Sequence, residues 1–228
     1  MLLNAKSSME ISLGPTKVEL LPGRAAFLPA SKSLIVADLH LGKAATFRER
    51  GLAVPEGSNA SDLCQLESIA DFKKPKQLVI AGDLFHSADG LSSSTIELFE
   101  NWLQRLDLPV LLTEGNHDRR SWFSRYQFPI DVSPHLRVDG VTITHDPDDL
   151  SVTEYGIAGH LHPGIRIKEA PRQSLKIAGF LVRRSKHLIL PAFSEFTGIS
   201  PLKISEKDQF FTEIKGTISE LPSELTSA

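Results

Sequence analysis

Residues 34–40 read LIVADLH, an apolar run that ends in an aspartate and a histidine. The same arrangement recurs in four further segments: LVIAGDLFH at 78–86, VLLTEGNHD at 110–118, VTITHD at 141–146 and YGIAGHLH at 155–162. Each apolar run predicts a buried strand, and side chains that follow a strand reach the edge of the sheet, where ligand clefts form in open α/β sheets. Because Asp, His and Asn are metal ligands, the five strand ends predict one shared metal site.

The composition is that of an ordinary globular protein. The chain has 228 residues, of which 41% are hydrophobic and 23% charged, and its net charge is -3. That charge counts against a protein that coats long stretches of DNA, but not against a nuclease whose attraction for phosphate is local. Cys64 is the only cysteine, so a reducing compartment is expected. Residues 1–15 lack a sustained apolar stretch and no segment reaches the roughly 20 apolar residues that span a bilayer, so we predict a soluble, cytoplasmic protein without a membrane partner.

The first half of the chain alternates between strand and helix patterns. Residues 9–30 show short alternating stretches broken by Gly-Pro and Pro-Gly pairs, which predicts small strands at a sheet edge. Apolar residues at helical spacing predict helices over 61–73 and 95–106, and Ser94 with Glu97 forms a candidate capping box for the second. Because each helix lies between two strand-like runs, we expect βαβ units with parallel strands.

The second half of the chain is poor in helical patterns. Residues 176–182, 187–193 and 209–221 read as strands, the last of them broken at Gly216. A second sheet packed on the first is therefore expected. The resulting fold class is α/β (α+β), with two facing mixed sheets flanked by helices.

The candidate ligands offer both oxygen and nitrogen donors. Such a mixed set suits Mn²⁺, Fe or Zn²⁺ better than Mg²⁺ or Ca²⁺, which prefer oxygen alone. Asp38 and His40 lie two residues apart, so in extended backbone both side chains would point to one face and grip one ion, and the same holds for His160 and His162. Two dications here would leave the site net positive. Two ions about 3.5–4 Å apart can also hold a bridging hydroxide and clamp both the attacking and the leaving oxygen of a phosphoester.

The order of the motifs resembles that of a known family. D-x-H, G-D-x-x-H, G-N-H-D, a single His and G-H-x-H follow one another from Asp38 to His162, as in the calcineurin-like metallophosphoesterases. The resemblance implies the metallo-dependent phosphatase fold, a four-layer α/β/β/α sandwich. It also implies a single metallophosphoesterase domain over residues 1–228, with a core at about 24–198 and a C-terminal strand extension at about 199–222.

The resemblance further implies a role for each motif residue. One metal ion would be held by Asp38, His40, Asp83 and His162, and the other by Asp83, Asn116, His145 and His160. Asp83 would then bridge the two ions. His117 would contact the phosphate and protonate the leaving oxygen as a general acid, and Asp118 would orient His117.

A narrower resemblance appears outside the metal motifs. The ligase-associated DNA damage response endonuclease branch of the family is similar to this chain at LGKA (41–44), at F-R-x-x-G (47–51) with Pro55, at His162-Pro163, at LPAF (190–193) and at FTG (196–198). The branch implies a phosphodiester substrate, with DNA as the candidate, Mn²⁺ as the metal ion, and DNA-repair proteins as partners. The chain departs from the branch at 194–195, where Ser-Glu replaces the usual glycine, and we expect a local loop difference there.

Four basic residues near the motifs are candidates for substrate contact. Lys43 and Arg48 follow the first ligand pair closely and could bind a substrate phosphate, although a solvated helix face explains them equally well. Arg119 and Arg120 follow the G-N-H-D motif and could shape the substrate cleft. Ordinary surface charge explains these two at least as well.

Other conspicuous residues have ordinary explanations. His86 closes the G-D-x-x-H motif and is either polar lining or a neighbour of the motif's aspartate. Asp146 begins a turn-like D-P-D-D run, although it could also orient His145. Structural roles are expected for four more residues, with solvent exposure for His135 and His187 and burial for Cys64 and Trp102.

The leading hypothesis is therefore a dinuclear-metal phosphoesterase in which a metal-bridging hydroxide attacks phosphorus in line and His117 protonates the departing oxygen. A phosphodiesterase or nuclease acting on DNA is favoured by the branch resemblance. A phosphomonoesterase or a small nucleotide phosphodiesterase is the alternative among enzymes. A non-catalytic scaffold is the alternative of a different class, and it is disfavoured because the chain keeps every ligand and the acid histidine. Metal identity and oligomeric state stay open.

Overall fold

A computed structural model describes residues 7–49, 51, 57–87, 91–118, 125–170 and 173–222. The α-helices in these ranges are α1 (Lys43–Glu49), α2 (Ser58–Lys73) and α3 (Ser93–Leu106), and a short 3-10 helix spans Pro147–Asp149. No helix among the described residues combines the length and the apolar character that crossing a membrane requires.

The strands form two seven-stranded sheets and one three-stranded sheet. In spatial order the first sheet contains β1 (Met9–Leu13), β2 (Thr16–Leu21), β3 (Ala25–Leu28), β4 (Ser33–Val36), β5 (Gln77–Ile80), β6 (Val110–Thr113) and β7 (Ile130–Ser133). The second contains β17 (Thr217–Leu221), β16 (Gln209–Ile214), β13 (Phe180–Arg183), β14 (His187–Ile189), β10 (Gly156–Ala158), β9 (Val141–Ile143) and β8 (Leu136–Val138). The third contains β12 (Gln173–Ala178), β11 (Pro163–Ala170) and β15 (Ser200–Pro201).

Both large sheets are mixed, as expected from the sequence. β4, β5, β6 and β7 run parallel, and helices connect β4 to β5 and β5 to β6, so the βαβ prediction is confirmed. β1 to β4 pair antiparallel at the other side of the first sheet. In the second sheet β9, β10 and β14 are parallel and lie between antiparallel neighbours.

The core explains why the central strands are apolar along their whole length. Leu34 and Val36 of β4 pack with α2 and α3 on one face of the first sheet. Ile35 and Ala37 point to the other face and pack against the second sheet, where Ile143 and Ile157 meet them. A strand covered on both faces buries every side chain, which removes the polar alternation of a half-exposed strand.

The fold class of two facing mixed sheets is confirmed, and the outermost layer is built in a particular way. Among the described residues, the outer face of the second sheet is covered by the three-stranded sheet rather than by an α-helix. Ile165 of β11 packs there with Leu181 and Ile189 of the second sheet, and with Ile204 from the segment after β15. The helices of the described chain therefore cover the first sheet.

Most predicted elements exist, but one strand, several ends and one burial differ from the expectation. The single strand predicted over 176–182 is two strands, β12 and β13, which belong to different sheets. α3 begins at Ser93, and its cap is Ser92, whose side chain accepts a hydrogen bond from the Thr95 N–H, so the predicted capping box was placed two residues too late. Cys64 is exposed on α2, so the prediction of a buried thiol was wrong. Trp102 is buried as predicted, and its indole N–H donates to the Leu63 carbonyl.

Candidate metal centre

The predicted ligands come from loops that follow five strands of the two facing sheets. The first sheet contributes the loops after β4, β5 and β6, and the second contributes those after β9 and β10. The structure brings together all of the expected ligand residues: Asp38, His40, Asp83, Asn116, His145, His160 and His162. Two loops are fixed against each other, because the Asp38 N–H donates to the Gly82 carbonyl (3.1 Å) and the His40 N–H donates to the Asp83 carbonyl (2.9 Å).

The backbone at the ligands is left-handed, which corrects the expectation of extended D-x-H and H-x-H segments. Asp38 and His40 have φ values of 57° and 48°, and His160 and His162 have φ values of 66° and 46°. Strand alternation therefore does not bring these side chains together. Asp38 and His40 share one set of converging donors, whereas His160 and His162 contribute to different sets, so the expectation that the second pair grips one ion was wrong. Non-glycine residues in the left-handed region cost on the order of 1–3 kcal/mol each, and such strain concentrates at functional sites. Hydrophobic periodicity carries no signal for it.

Two glycines of the motifs make room for the ligands. A Cβ atom on Gly82 would collide with the His145 ring, and Gly82 itself has a φ of +77°. A Cβ atom on Gly159 would lie 2.6 Å from the Asp38 carboxylate. Glycine is thus needed directly before Asp83 and directly before His160, so that side chains from the opposite sheet can pack closely there.

The first donor group joins residues from both sheets. One donor atom from each of Asp38, His40 and His162 lies within 4.8 Å of the other two. The His162 Nε2 lies 3.4 Å from Asp38 Oδ1 and 3.5 Å from His40 Nε2, and Asp83 Oδ2 lies 3.8 Å from His40 Nε2. Donors that bind one ion at about 2.0–2.2 Å lie about 3–4 Å from each other, so these separations suit a single ion.

The second donor group forms around the His145 ring. Its Nε2 lies 2.8 Å from Asn116 Oδ1, 3.0 Å from His160 Nδ1 and 3.5 Å from Asp83 Oδ2. The His145 Nδ1 lies 3.2 Å from the Ala81 carbonyl, which fixes the ring with Nε2 directed into the group. Asp83 Oδ2 borders both donor groups. It occupies the place that a bridging ligand would take.

Burial leaves His40 uncharged and deprives two polar atoms of the first donor group of hydrogen bonds. Asp38 Oδ1 and His40 Nδ1 are buried and have no hydrogen-bond partner among the described residues. Burial, reinforced by the charge of Lys43, lowers the pKa of His40 to about 2, so its ring is neutral. Burial also raises the pKa of Asp83, although the neighbouring His145 acts in the opposite direction. A buried carboxylate oxygen beside a neutral imidazole is an arrangement that a divalent cation stabilises.

His117 lies beside the two donor groups and belongs to neither of them. Its backbone N–H donates to Asp83 Oδ1 at 2.9 Å, and its Nε2 lies 4.0 Å from Asp83 Oδ2. About a third of its side chain, 36%, is exposed, whereas only 3% of the Asp83 side chain is. The ring is therefore open to a substrate that reaches the metal centre from solvent.

Asp118 has partners that differ from the expected one. Its carboxylate accepts hydrogen bonds from the backbone N–H groups of Leu84 (3.1 Å), Phe85 (3.2 Å) and Gly115 (3.4 Å), and none of the described contacts joins it to the His117 ring. It ties the loop after β5 to the loop after β6. Burial, and to a smaller extent the charge of Asp83, raises the pKa of Asp118 to about 7. Asp118 thus positions loops rather than the imidazole.

His86 is closer to the site than the sequence indicated. Its ring stacks on His117 with centroids 5.1 Å apart, and it meets the His40 ring edge-on at 5.7 Å. One nitrogen from each of these three rings lies within 4.8 Å of the other two. The histidine at the end of G-D-x-x-H was a signal for this placement, but spacing alone did not separate it from polar lining.

Another contact that the sequence did not indicate joins Asp146 to His160 rather than to His145. The Asp146 Oδ2 lies 3.7 Å from the His160 Nε2, while its Oδ1 accepts a hydrogen bond from the Asp148 N–H and begins the 3-10 helix. The turn interpretation is therefore confirmed. A carboxylate behind the His160 ring also helps to set the orientation of that ring.

The basic side chains that are candidates for substrate contact differ in their exposure to solvent. Lys43 begins α1 and is half-buried; burial lowers its pKa, while Asp38 and Asp83 act against this, so its ammonium group senses the charges of the metal centre. Arg48 lies in the last turn of α1 and is exposed. Arg119 and Arg120 lie outside the described residues.

Two donor groups that share one carboxylate, with an exposed histidine beside them, form the arrangement that a two-metal hydrolase of phosphoesters needs. A model of the calcineurin-like phosphoesterase family matches residues 31–165. The chain belongs to this family and is a metal-dependent phosphoester hydrolase. The matched segment runs from just before β4 into β11, so it contains both donor groups.

Solved structures with a similar fold include the nuclease MPE of Pseudomonas putida. That protein is 28% identical to this chain with a TM-score of 0.78, and the match covers 94% of this chain and 100% of the nuclease chain. Two other matches are more distant. Yfce, a phosphoesterase from E. coli, is 15% identical to this chain with a TM-score of 0.42, and the match covers 83% of this chain and 97% of Yfce. AQ665 from Aquifex aeolicus, a protein of unknown function, is 16% identical with a TM-score of 0.40, and the match covers 57% of this chain and 78% of AQ665. No curated protein matched the chain.

Proposed function

We propose that this protein is a dinuclear-metal phosphodiesterase that cleaves DNA. The observation that carries the proposal is the pair of donor groups that meet at Asp83 Oδ2 with the exposed ring of His117 beside them. The two carboxylates of these groups, Asp38 and the shared Asp83, are too few to neutralise two dications, so the loaded site would be positive, as a phosphodiester anion requires.

The residues would divide between two ions as follows. One ion would be held by Asp38, His40, Asp83 and His162, and the other by Asp83, Asn116, His145 and His160. Mn²⁺ is the ion we propose, since the donors mix imidazole nitrogen with carboxylate and amide oxygen; Fe and Zn²⁺ suit the same set. When bound, the two ions supply an activated water and neutralise charge that develops on the phosphate.

His117 would donate the proton that the leaving oxygen needs. Its side chain is held over the donor groups by the hydrogen bond from its own backbone N–H to Asp83, and it remains open to solvent on the other side. An alkoxide is a poor leaving group, so protonation in the transition state contributes typically 10²–10⁴-fold. Lys43, whose ammonium group senses the same carboxylates, would bind a phosphate oxygen, and Arg48 would bind a phosphate further along the substrate.

DNA is proposed as the substrate because the likeness to the Pseudomonas putida nuclease extends over nearly the whole of both chains. The sequence features shared with ligase-associated endonucleases point the same way and suggest cytoplasmic DNA-repair proteins as partners. Neither the net charge of -3 nor the shape of the fold opposes a nuclease, because attraction for phosphate is supplied locally by the metal centre.

Hydrolysis by the purified protein tests the proposal. The metal content would be measured first, and then hydrolysis with Mn²⁺ of a small phosphodiester, a phosphomonoester, single-stranded DNA and duplex DNA. We expect about two metal ions per chain, cleavage of the phosphodiester and of DNA, and slow turnover of the monoester. Turnover of the monoester alone would contradict the proposal, as would a metal-loaded protein that hydrolyses the small diester and leaves every DNA intact.

A further inference from the structure

The histidine rings of the metal centre continue outward into an aromatic surface. His86 stacks on His117, Phe47 meets His86 edge-on with ring centroids 6.1 Å apart, and Phe196 meets Phe47 edge-on at 5.7 Å. The series begins at the proposed general acid and leads away from both donor groups. None of the proposed metal ligands takes part in its outer half.

The two phenylalanines at the outer end differ from those of the core. Phe47 lies on α1, and Phe196 lies in the loop between β14 and β15, so they reach the same place from distant parts of the chain. Both are half-buried, whereas Phe193, three residues before Phe196, is fully buried at 0% exposure. Each outer ring therefore retains surface that the protein does not cover.

The direction of the reaction places the leaving group next to these rings. In an in-line displacement the attacking and leaving oxygens lie on opposite sides of phosphorus. With ions in the donor groups, the water would be activated on their side, and the leaving oxygen would lie at His117 to receive its proton. Whatever the leaving oxygen carries therefore extends past His117, in the direction in which Phe47 and Phe196 follow.

We propose that Phe47 and Phe196 form a stacking surface for the nucleobase of the leaving nucleoside. This inference rests on the proposed nuclease function and assigns the part of the substrate that these rings bind. Every base presents a π-face, and aromatic side chains that stack on it read no hydrogen-bond pattern. The surface would thus favour a nucleotide over a simple diester without selecting a particular base.

The test compares dinucleotides that differ only in one base. Three thymidine dinucleotides would be hydrolysed with Mn²⁺: the complete one, one with an abasic 5′ sugar and one with an abasic 3′ sugar. The product that carries the phosphate identifies the leaving side. We expect removal of the leaving-side base to lower kcat/KM by about 5- to 150-fold, since stacking contributes that factor per base, with most of the change in KM. Removal of the other base should change kcat/KM much less.

Variants then assign the preference to the two rings. The double variant F47L/F196L should lower the ratio of kcat/KM between the complete dinucleotide and the leaving-side abasic one toward unity. Phe196→Tyr keeps a ring and should keep the preference. Phe72→Leu is the matched control, because Phe72 is an exposed phenylalanine of α2 (42%) and should leave the ratio as in the wild type.

The outcomes separate this inference from the function on which it rests. Wild-type enzyme that cleaves all three dinucleotides with equal kcat/KM would overturn the stacking surface and leave the nuclease proposal standing. The inference would also be overturned if F47L/F196L lost kcat/KM equally on the complete and the leaving-side abasic dinucleotide, because the rings would then only support the fold of the site. Hydrolysis of a small diester without cleavage of any dinucleotide would overturn the proposed function, and the inference with it.

Discussion

Asp38 and Asp62 are two buried carboxylates that differ in what surrounds them. Asp38 is 0% exposed and Asp62 is 7% exposed, and each has one oxygen without a hydrogen-bond partner among the described residues. The free oxygen of Asp38 lies 3.4 Å from the His162 Nε2, inside a donor group that could hold a cation. Asp62 lies on α2, where it hydrogen-bonds to Ser194 and to the backbone of Glu195.

The comparison teaches how a fold retains an unfavourable carboxylate. A buried charge without a counter-ion either takes up a proton or awaits a cation. Burial raises the pKa of Asp62 to about 6, against the opposing effects of the Ser194 hydrogen bond and the Arg24 charge, so Asp62 binds a proton below about pH 6. Asp38 has histidine nitrogens around it that can share a metal ion. A buried carboxylate oxygen without a hydrogen-bond partner therefore indicates a metal site at Asp38 and a proton-binding structural residue at Asp62.

The largest effect is expected from Asp83→Ala, because this carboxylate borders both donor groups. Removal of its side chain should lower the metal content from about two ions to one or none and reduce kcat/KM for a small phosphodiester by at least about 10³-fold, since two ions contribute several kcal/mol to charge stabilisation. Metal analysis and steady-state kinetics check this. Asp71→Ala, an exposed aspartate of α2, is the control, and unchanged metal content and hydrolysis in Asp83→Ala would exclude the dinuclear arrangement.

His117→Ala sharpens the distinction between residues that hold metal and the residue beside them. With an alkoxide leaving group we expect a loss of about 10²–10⁴-fold in kcat, whereas a leaving group that departs without a proton should lose less than about tenfold. Metal content should stay at the wild-type value. His135→Ala, at an exposed position, serves as the control. Full turnover of DNA by His117→Ala would contradict the general-acid role and leave the metal centre in place.

Much of this site could be predicted from the sequence because its parts are local. Apolar runs identified β4, β5, β6, β9 and β10, and the polar residues after them are the ones that meet. Two features needed the folded chain. The left-handed backbone at Asp38 and His160 leaves no hydrophobic pattern, and two of the three backbone partners of Asp118, Leu84 and Phe85, lie 34 and 33 residues away in the loop after β5. Long-range hydrogen bonds and backbone strain are not encoded by periodicity.

The exposed thiol of Cys64 has a different explanation. Its helix was predicted from apolar residues on one side, and Leu63 and Leu66 do pack into the core. Cys64 lies one position after Leu63, so the rotation of the helix carries it away from that face. Composition alone favours burial of a cysteine, and here the helical phase decided otherwise.

The stabilisation that metal binding provides should depend on Asp38 and not on Asp62. At a free Mn²⁺ concentration of about 100 times the Kd, each site should add about 2.7 kcal/mol to the free energy of unfolding. Asp38→Asn should lose a large part of this increase, because Asp38 belongs to a donor group, whereas Asp62→Asn should keep all of it. Chemical unfolding with and without Mn²⁺ checks both variants. An equal increase in the two variants would remove the distinction drawn between the carboxylates.

The smallest effect concerns the pH dependence of Asp62 in the metal-free protein. Its pKa is about 6 in the folded chain against 3.8 as the ordinary value, so between these pH values the folded state holds a proton that the unfolded state lacks. Stability therefore falls as pH rises through this window, by about 2–3 kcal/mol between pH 4 and pH 7. Asp62→Asn has no such contribution. The free energy of unfolding of the variant, minus that of the wild type, should therefore rise by that amount from pH 4 to pH 7. Contributions from the other ionisable groups are common to both proteins and cancel, as does any constant cost of the amide. Asp71→Asn, which changes an exposed carboxylate, should show no such shift.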